Sequence, residues 1–335
     1  MEAALNATAE TVLTHVSERS VLNEIAARGL VPFALAGRKR FATCSGVAWF
    51  HGCHVAVVNL YGGHLRVYRF DCGADGVQPR LELLHEMSAG LSFPENVAAS
   101  PDGSVLAITH SMSDAHGISL HSIEPGSLAP QPTTAMLRIG RAFHGLNFTP
   151  DSRHLAFTEI GTPGYIEVAR IDSGACTCRL DNTYDLFKPK SAAFLHDGSF
   201  VAVAFSPGLR SDGVTTIAGG LLTVHRFDAE RGIIEPEAVA ELGGADGSLG
   251  ALESCTILPA PPGGPFRILA ADQAADIVLA IDFDPQQARL SFAGVFAAGM
   301  SFPHGVDVSA DGRFVAVANY GDDTLRIVRV KSDGS

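Results

Sequence analysis

Positive charge is scarce in this chain. Its 335 residues hold 24 Lys and Arg against 36 Asp and Glu, a formal net charge of −12. The densest basic stretch is only Arg38-Lys39-Arg40. A nucleic-acid partner or an anionic membrane surface requires a basic face, so neither is expected. Long apolar runs are lacking as well. Nowhere do about 18 apolar residues follow one another, so no membrane-spanning helix is expected. The N-terminal MEAALNATAETVLTHVSERS lacks the basic start and apolar run of a secretory signal, which gives the expectation of a cytoplasmic protein. The six cysteines (Cys44, Cys53, Cys72, Cys176, Cys178 and Cys255) form no CxxC pair of the zinc type, and without an export signal they read as reduced thiols. Cys176 and Cys178 would share one face of a strand, a weak metal signal.

What is present points to strands. Apolar residues make up 46% of the chain and charged ones only 18%, with 35 glycines and 18 prolines. That balance suits many short strands joined by tight turns. The length exceeds what one ordinary core supports, and a closed repeat is the common way to exceed it without splitting.

A repeat is there. Residues 302–330 read FPHGVDVSADGRFVAVANYGDDTLRIVRV. This predicts a strand at 305–309, a turn at Ala310-Asp311-Gly312, a second strand at 313–318, a polar turn, and a third strand at 324–330. Asp-Gly between apolar runs supplies the backbone geometry of a tight hairpin. FVAVA is the run of a strand buried on both faces. Setting residues 89–103 against 298–312 gives nine identities in fifteen positions. Further copies are FHGLNFTPDSRHLAFTE (143–159), PKSAAFLHDGSFVAVAF (189–205), ALESCTILPAPPGGPFRILAAD (251–272) and SGVAWFHGCHVAVVN (45–59).

Alternating segments at 81–87, 134–139, 237–242 and 290–296 supply a fourth strand, so each unit is four strands over roughly 45 to 60 residues, the size of a propeller blade. The expectation is an all-β chain, a six-bladed β-propeller. The last copy has only three strands, and residues 21–30 (VLNEIAARGL) are expected to close the ring by supplying the missing one, leaving 1–20 as an arm and 21–335 as one domain. A seven-bladed ring stays open as the alternative, with 180–186 or 206–220 hiding a degenerate blade.

The common register ranks residues by their distance from the axis. Seven positions before each turn aspartate, or its aligned equivalent, stand Ser45, Glu95, His144, Lys190, Glu253 and His304. Ionisable groups crowding one narrow mouth favour ion binding or proton transfer. His144, His304, Glu253, Glu95 and Lys190 are therefore the candidate catalytic residues. Glu95, His144, Glu253 and His304 could instead ligate one divalent metal ion. In the metal-free alternative a histidine acts as base, a glutamate orients it and Lys190 holds an anionic group. A second ring, at the ends of the second strands, is Asn59, His110, Glu159, Phe205, Asp272 and Asn319. With Ser45, and with Arg210 from the long 206–220 loop, its polar members are the candidate substrate-binding residues.

The FPHGVDVSADGRFVAVANYGDDTLRIV stretch resembles the repeat of the lactonase-type β-propellers, which include bacterial 6-phosphogluconolactonase and muconate-lactonising enzymes. A six-bladed ring with a central metal is also similar to the gluconolactonase and diisopropylfluorophosphatase group. That group holds calcium with a Glu, two Asn and an Asp, where this chain has Glu95, His144, Lys190 and Glu253. The His/Glu mouth is similar to virginiamycin B lyase. The resemblance implies a small-molecule enzyme, a hydrolase or lyase acting on a lactone or ester-like substrate. The alternative is a non-catalytic scaffold that binds a protein or peptide on the same face.

Overall fold

A computed structural model of the chain describes residues 9–13, 44–73, 79–111, 117–132, 135–137, 143–159, 164–172, 175–176, 182–183, 189–209, 216–217, 219–244, 249–259 and 264–330. Every regular element among them is a β-strand, and all pairing is antiparallel. No helix among the described residues is long and apolar enough to cross a membrane.

The strands assemble into six sheets of four or five, plus a two-stranded ribbon. Sheet one runs Cys44–Phe50, His54–Asn59, His64–Asp71, Arg80–Met87. Sheet two runs Pro94–Ala99, Val105–His110, Ile118–Ser122, Ala135–Leu137. Sheet three is Phe143–Phe148, His154–Glu159 and Tyr165–Asp172, with Ala175–Cys176 and Asn182–Thr183 both pairing on the last. Sheet four is Pro189–Phe194, Phe200–Phe205, Leu221–Asp228, Ile233–Gly243, and sheet five is Leu252–Leu258, Phe266–Asp272, Ile277–Asp284, Arg289–Ala297. In sheet six, Pro303–Val308, Phe314–Asn319 and Thr324–Val330 are joined by Ala9–Leu13.

That last pairing corrects an expectation. The strand beside Thr324–Val330 comes from Ala9–Leu13, inside the segment read as an arm. Residues 21–30 lie outside the described residues. Of the segments suspected of hiding a further blade, the described residues pair as follows: Asn182–Thr183 with sheet three, and Gly208–Leu209 with Thr216–Ile217.

The first strands touch in sequence order, and that of sheet six lies against that of sheet one. Burial follows the same cycle. Six apolar clusters each fill the space between two neighbouring sheets, and one of them joins sheet six to sheet one through Trp49, Phe70 and Phe314. Second strands such as Phe200–Phe205 and Phe314–Asn319 are buried along their whole length, as their unbroken apolar runs require. Burying one such Val or Leu stabilises by about 1.5–3 kcal/mol, so these clusters hold the sheets face to face. The fold is propeller-like.

The repeated turn has a local cause. In SPDGS, Asp102 accepts from the Ser100 hydroxyl at 2.6 Å and the Ser104 amide at 2.9 Å. Asp151 and Asp311 repeat the arrangement, with Thr149 and Arg153 and with Ser309 and Arg313. Gly103 and Gly312 follow at φ +73° and +69°, where glycine bears no Cβ penalty.

Candidate functional site

The six register residues share one backbone feature. In each first strand the pairing with the second strand slips at the second residue: at Ser45, Glu95, His144, Lys190, Glu253 and His304. A bulge leaves one residue without a ladder partner and re-aims its side chain. Here six bulges stand at one end of six neighbouring strands, and five of them turn their side chains toward a common centre.

Five of the six side chains meet there. His144 Nε2 lies 3.2 Å from Glu253 Oε2 and 3.6 Å from Glu95 Oε1. His304 Nε2 lies 3.2 Å from Glu95 Oε1 and 3.7 Å from Glu253 Oε2. The imidazole centroids are 4.9 Å apart. Lys190 Nζ completes the group, 2.7 Å from Glu253 Oε2 and 3.2 Å from His144 Nε2. All but Lys190 are buried.

Both histidines are held the same way. His144 Nδ1 is 2.8 Å from the Lys190 carbonyl and His304 Nδ1 is 3.0 Å from the Ser45 carbonyl. A carbonyl only accepts, so each Nδ1 carries the proton and each Nε2 faces the centre. The next residue in both cases is glycine. A Cβ on Gly145 would collide with the Lys190 carbonyl oxygen, and one on Gly305 would stand 2.8 Å from the Ser45 carbonyl oxygen. The two His-Gly pairs thus let neighbouring first strands come close enough for the ring-to-carbonyl bond.

Burial and charge push the two rings apart in basicity. His144 is lowered below its ordinary value by burial and then by the Lys190 ammonium, against the pull of Glu253 and Glu95. His304 is raised: burial works to lower it, but the hydrogen bond to Glu95 and the charges of Glu95 and Glu253 win. Glu95 is lowered to about 2, because the His304 hydrogen bond and the two imidazoles outweigh its burial. Glu253 moves further in the same direction, burial being overcome chiefly by Lys190 and His144. The two glutamates are thus held as carboxylates, while His144 is biased toward its neutral form and His304 toward its charged form.

Ser45 is placed differently from expectation. Its hydroxyl donates to the Pro94 carbonyl at 3.2 Å and the Val58 carbonyl at 3.4 Å, so it offers its own carbonyl to the site instead. Four residues of the second ring serve loop and neighbouring groups. Asn59 Oδ1 accepts from the Gly62 amide at 2.6 Å, and Asn319 Oδ1 from the Ser301 amide at 3.1 Å. The Asp272 carboxylate accepts from the amides of Gly250, Ala251, Ala274 and Ala275. The ring nitrogens of His110 meet the Ser92 carbonyl and the Ser119 hydroxyl, both at 2.8 Å. Glu159 and Phe205 are buried at their strand ends. Arg210 lies outside the described residues, and so do the side chains of Cys176 and Cys178. Cys44, Cys53, Cys72 and Cys255 are not in disulfides, and burial pushes the Cys255 thiol up to about 12.

The residues that do reach the centre from the second strands stand one position later. Gln273 donates its amide to Glu253 Oε1, and Ser206 donates to the same oxygen at 3.4 Å. Tyr320 stacks on the His304 ring, with centroids 5.4 Å apart at 30°, and donates its hydroxyl to Tyr61 at 3.1 Å. Side chains alternate along a strand, so shifting the register by one would have found them. Away from the cluster, a cavity of about 360 Å³ is lined by first-strand residues of all six sheets. On its wall burial pushes Asp307 up to about 6, against hydrogen bonds from the Trp49 and Val308 amides and the Thr256 hydroxyl.

The donor set suits a cation. Glu95, His144 and His304 each offer one ligand atom, and these three lie within 4.8 Å of one another. Histidines whose Nδ1–H binds a carbonyl while Nε2 points inward are arranged as metal ligands usually are.

No protein-family model matches the chain, and no curated protein does. Many solved structures match in fold. The periplasmic gluconolactonase of Pseudomonas aeruginosa is 17% identical with a TM-score of 0.54, over 87% of this chain and 82% of its own. A gluconolactonase of Xanthomonas campestris is 12% identical with a TM-score of 0.57, over 88% of each chain. An auxiliary nutrient binding protein of Bacteroides thetaiotaomicron is 12% identical with a TM-score of 0.60, over 86% of this chain and 69% of its own. At these identities the likeness is one of fold.

Proposed function

We propose that this chain is a six-bladed propeller, closed by its N-terminal strand, that hydrolyses a small lactone or ester at the Glu95–His144–Lys190–Glu253–His304 cluster. The cyclic order of the first strands and of the six apolar clusters supports the blade count. The gluconolactonases among the fold neighbours support the substrate class. The nutrient-binding neighbour shows that the fold serves binding as well, so chemistry must come from the site.

One observation carries the reading: two imidazoles 4.9 Å apart, one pushed toward the neutral form and the other toward the charged form. Pairs of titratable groups driven apart in this way divide acid and base work. Neutral His144 accepts the proton of the attacking water through Nε2. His304 gives its Nε2 proton to the alkoxide released when the acyl C–O bond breaks. Glu95 keeps His304 charged and in place, while Lys190 and the Gln273 amide lie where they can hold the carbonyl oxygen and then the new carboxylate. The two-carboxylate cluster is offset by Lys190 and His304, so an anionic product is held without excess charge.

The three ligand atoms within 4.8 Å favour a second, metal-assisted form of the same reaction. Glu95, His144 and His304 would hold the ion, with Glu253 at its edge. A divalent ion there would polarise the carbonyl and make bound water more acidic. Lys190 and Gln273 keep their roles in either form.

The test is a pH-stat screen of lactones and simple esters with wild type, His144→Ala and Glu253→Ala, each checked for folding. Loss of activity in both variants is the expected result; full activity in either would end the proposal. Running the reaction in ¹⁸O water separates hydrolysis, which incorporates one label, from a lyase reaction, which incorporates none. Assay with and without chelator separates the metal-assisted form from the metal-free one.

A further inference from the structure

Besides the six inter-sheet cores there is a seventh apolar cluster, built at the strand ends. It consists of Leu60 and Tyr320, with Tyr61, Phe93 and Phe302 packed against them. These residues flank the strand ends of sheets six, one and two at the end of the fold that carries the His/Glu cluster. Tyr320 joins the two through its stack on His304. Phe302 packs on Tyr320 with centroids 5.7 Å apart, and Tyr61 does so at 6.5 Å. Tyr61, Phe93 and Phe302 remain partly exposed.

The opposite half of the mouth has another chemistry. Lys190 and Ser206 come from sheet four and Gln273 and Glu253 from sheet five, and these are the polar groups that touch one another there. Sheets six, one and two face sheets three, four and five across the cycle of first strands. One side of the mouth is thus aromatic and the other polar.

Backbone conformation supports a role beyond packing. Phe93 and Phe302 occupy the same register position in their copies and both lie in the left-handed region, at φ +48° and +51°. A bulky residue there is strained, and glycine would relieve it. Core packing does not explain two strained rings that are partly exposed and belong to none of the six inter-sheet cores.

We infer that the substrate is an aryl lactone or aryl ester whose ring lies on the Tyr61–Phe302–Tyr320 face, with its leaving oxygen at His304 and its carbonyl at Lys190 and Gln273. This rests on the hydrolase reading of the same site. Flat rings bind such faces by offset or edge contacts that a saturated chain does not match. The fused benzene ring of dihydrocoumarin, absent from δ-valerolactone, also makes the leaving group a phenoxide, so the face is read from how the variants change the ratio and from binding without turnover.

The experiment compares kcat/KM for dihydrocoumarin and δ-valerolactone in wild type, Tyr61→Ala and Phe302→Gly. Wild type is expected to prefer the aryl lactone by about tenfold or more, the scale of one well-filled apolar subsite. Each variant should lower that ratio at least about fivefold, mainly through the aryl KM. Phe302→Gly should at the same time unfold at an unchanged or higher temperature, since the left-handed strain is gone. A ring needed only for packing would instead lower the melting temperature and leave the ratio alone. Calorimetric binding of 3-phenylpropanoate against butanoate gives a readout without turnover. Tighter binding of the aryl acid, lost in both variants, supports the aryl face even if neither lactone is hydrolysed, in which case the hydrolase reading alone fails. Equal use or equal binding of aryl and alkyl compounds, or ratios unmoved by the variants, overturns the inference.

Discussion

Replacing Glu95 with glutamine removes a charge while keeping size and shape, and its consequences can be worked out. Glu95 Oε1 and His304 Nε2 are 3.2 Å apart. At an effective dielectric of about 20, opposite unit charges at that separation attract by about 5 kcal/mol. Burial takes back part of this. What survives shows in Glu95 itself, whose pKa falls from 4.5 to about 2, which corresponds to about 3 kcal/mol. The sign follows from linkage: the folded state holds the charged carboxylate better than the unfolded chain does. The stabilisation is complete above pH 4.5 and is lost as pH falls toward 2. Glu95→Gln should therefore cost about 3 kcal/mol near neutrality, with variant and wild type converging in strong acid. Urea denaturation at several pH values measures this. Seen from the other partner it is the same energy, so it is not added again. In metal-free protein, ¹⁵N-detected titration of the His304 imidazole should show its pKa falling in the variant, because the Glu95 hydrogen bond and charge that raise it are gone. A His304 pKa that stays where it is, with stability curves that run parallel at all pH values, would refute the electrostatic account of the site.

Gly145→Ala drives a Cβ into the Lys190 carbonyl, so sheets three and four must separate or His144 must lose its anchor. A lower melting temperature is expected together with a drop in kcat, both measured on purified protein. Adding Zn²⁺ or Mn²⁺ to chelator-treated protein should raise the melting temperature in wild type and not in a His144→Ala, His304→Ala double variant. Asp307 is raised to about 6, so its protonated form favours folding. That contribution is full below about pH 3.8 and is lost as pH rises through about 6. Asp307→Asn should remove this part of the pH dependence of thermal unfolding.

Much of the site could be read from spacing alone. A strand advances a fixed distance per residue, so counting seven positions back from the turn aspartate puts Glu95, His144, Lys190 and His304 at one height, and the aligned copy adds Glu253. The bulges could not be read, because an unpaired residue is defined by its neighbour strand's hydrogen bonds and not by its own type. Asn59, Asp272 and Asn319 misled for a related reason. They end the second strands and serve the loop backbone, while the following Gln273 and Tyr320 alternate toward the site. The edge strand of sheet six was expected at residues 21–30 and the pairing found is with Ala9–Leu13, since a short stretch such as AETVL carries no mark of its partner.

The sequence by itself determined the class of fold and the identity of the converging charges, since turn chemistry and strand period are local properties repeated six times. Tertiary structure decided which atoms meet. Ser45 gives a carbonyl and not a hydroxyl, the two imidazoles diverge in basicity, and aromatic rings from three sheets gather on one side of the mouth. These depend on contacts between segments up to 259 residues apart, which no local pattern encodes.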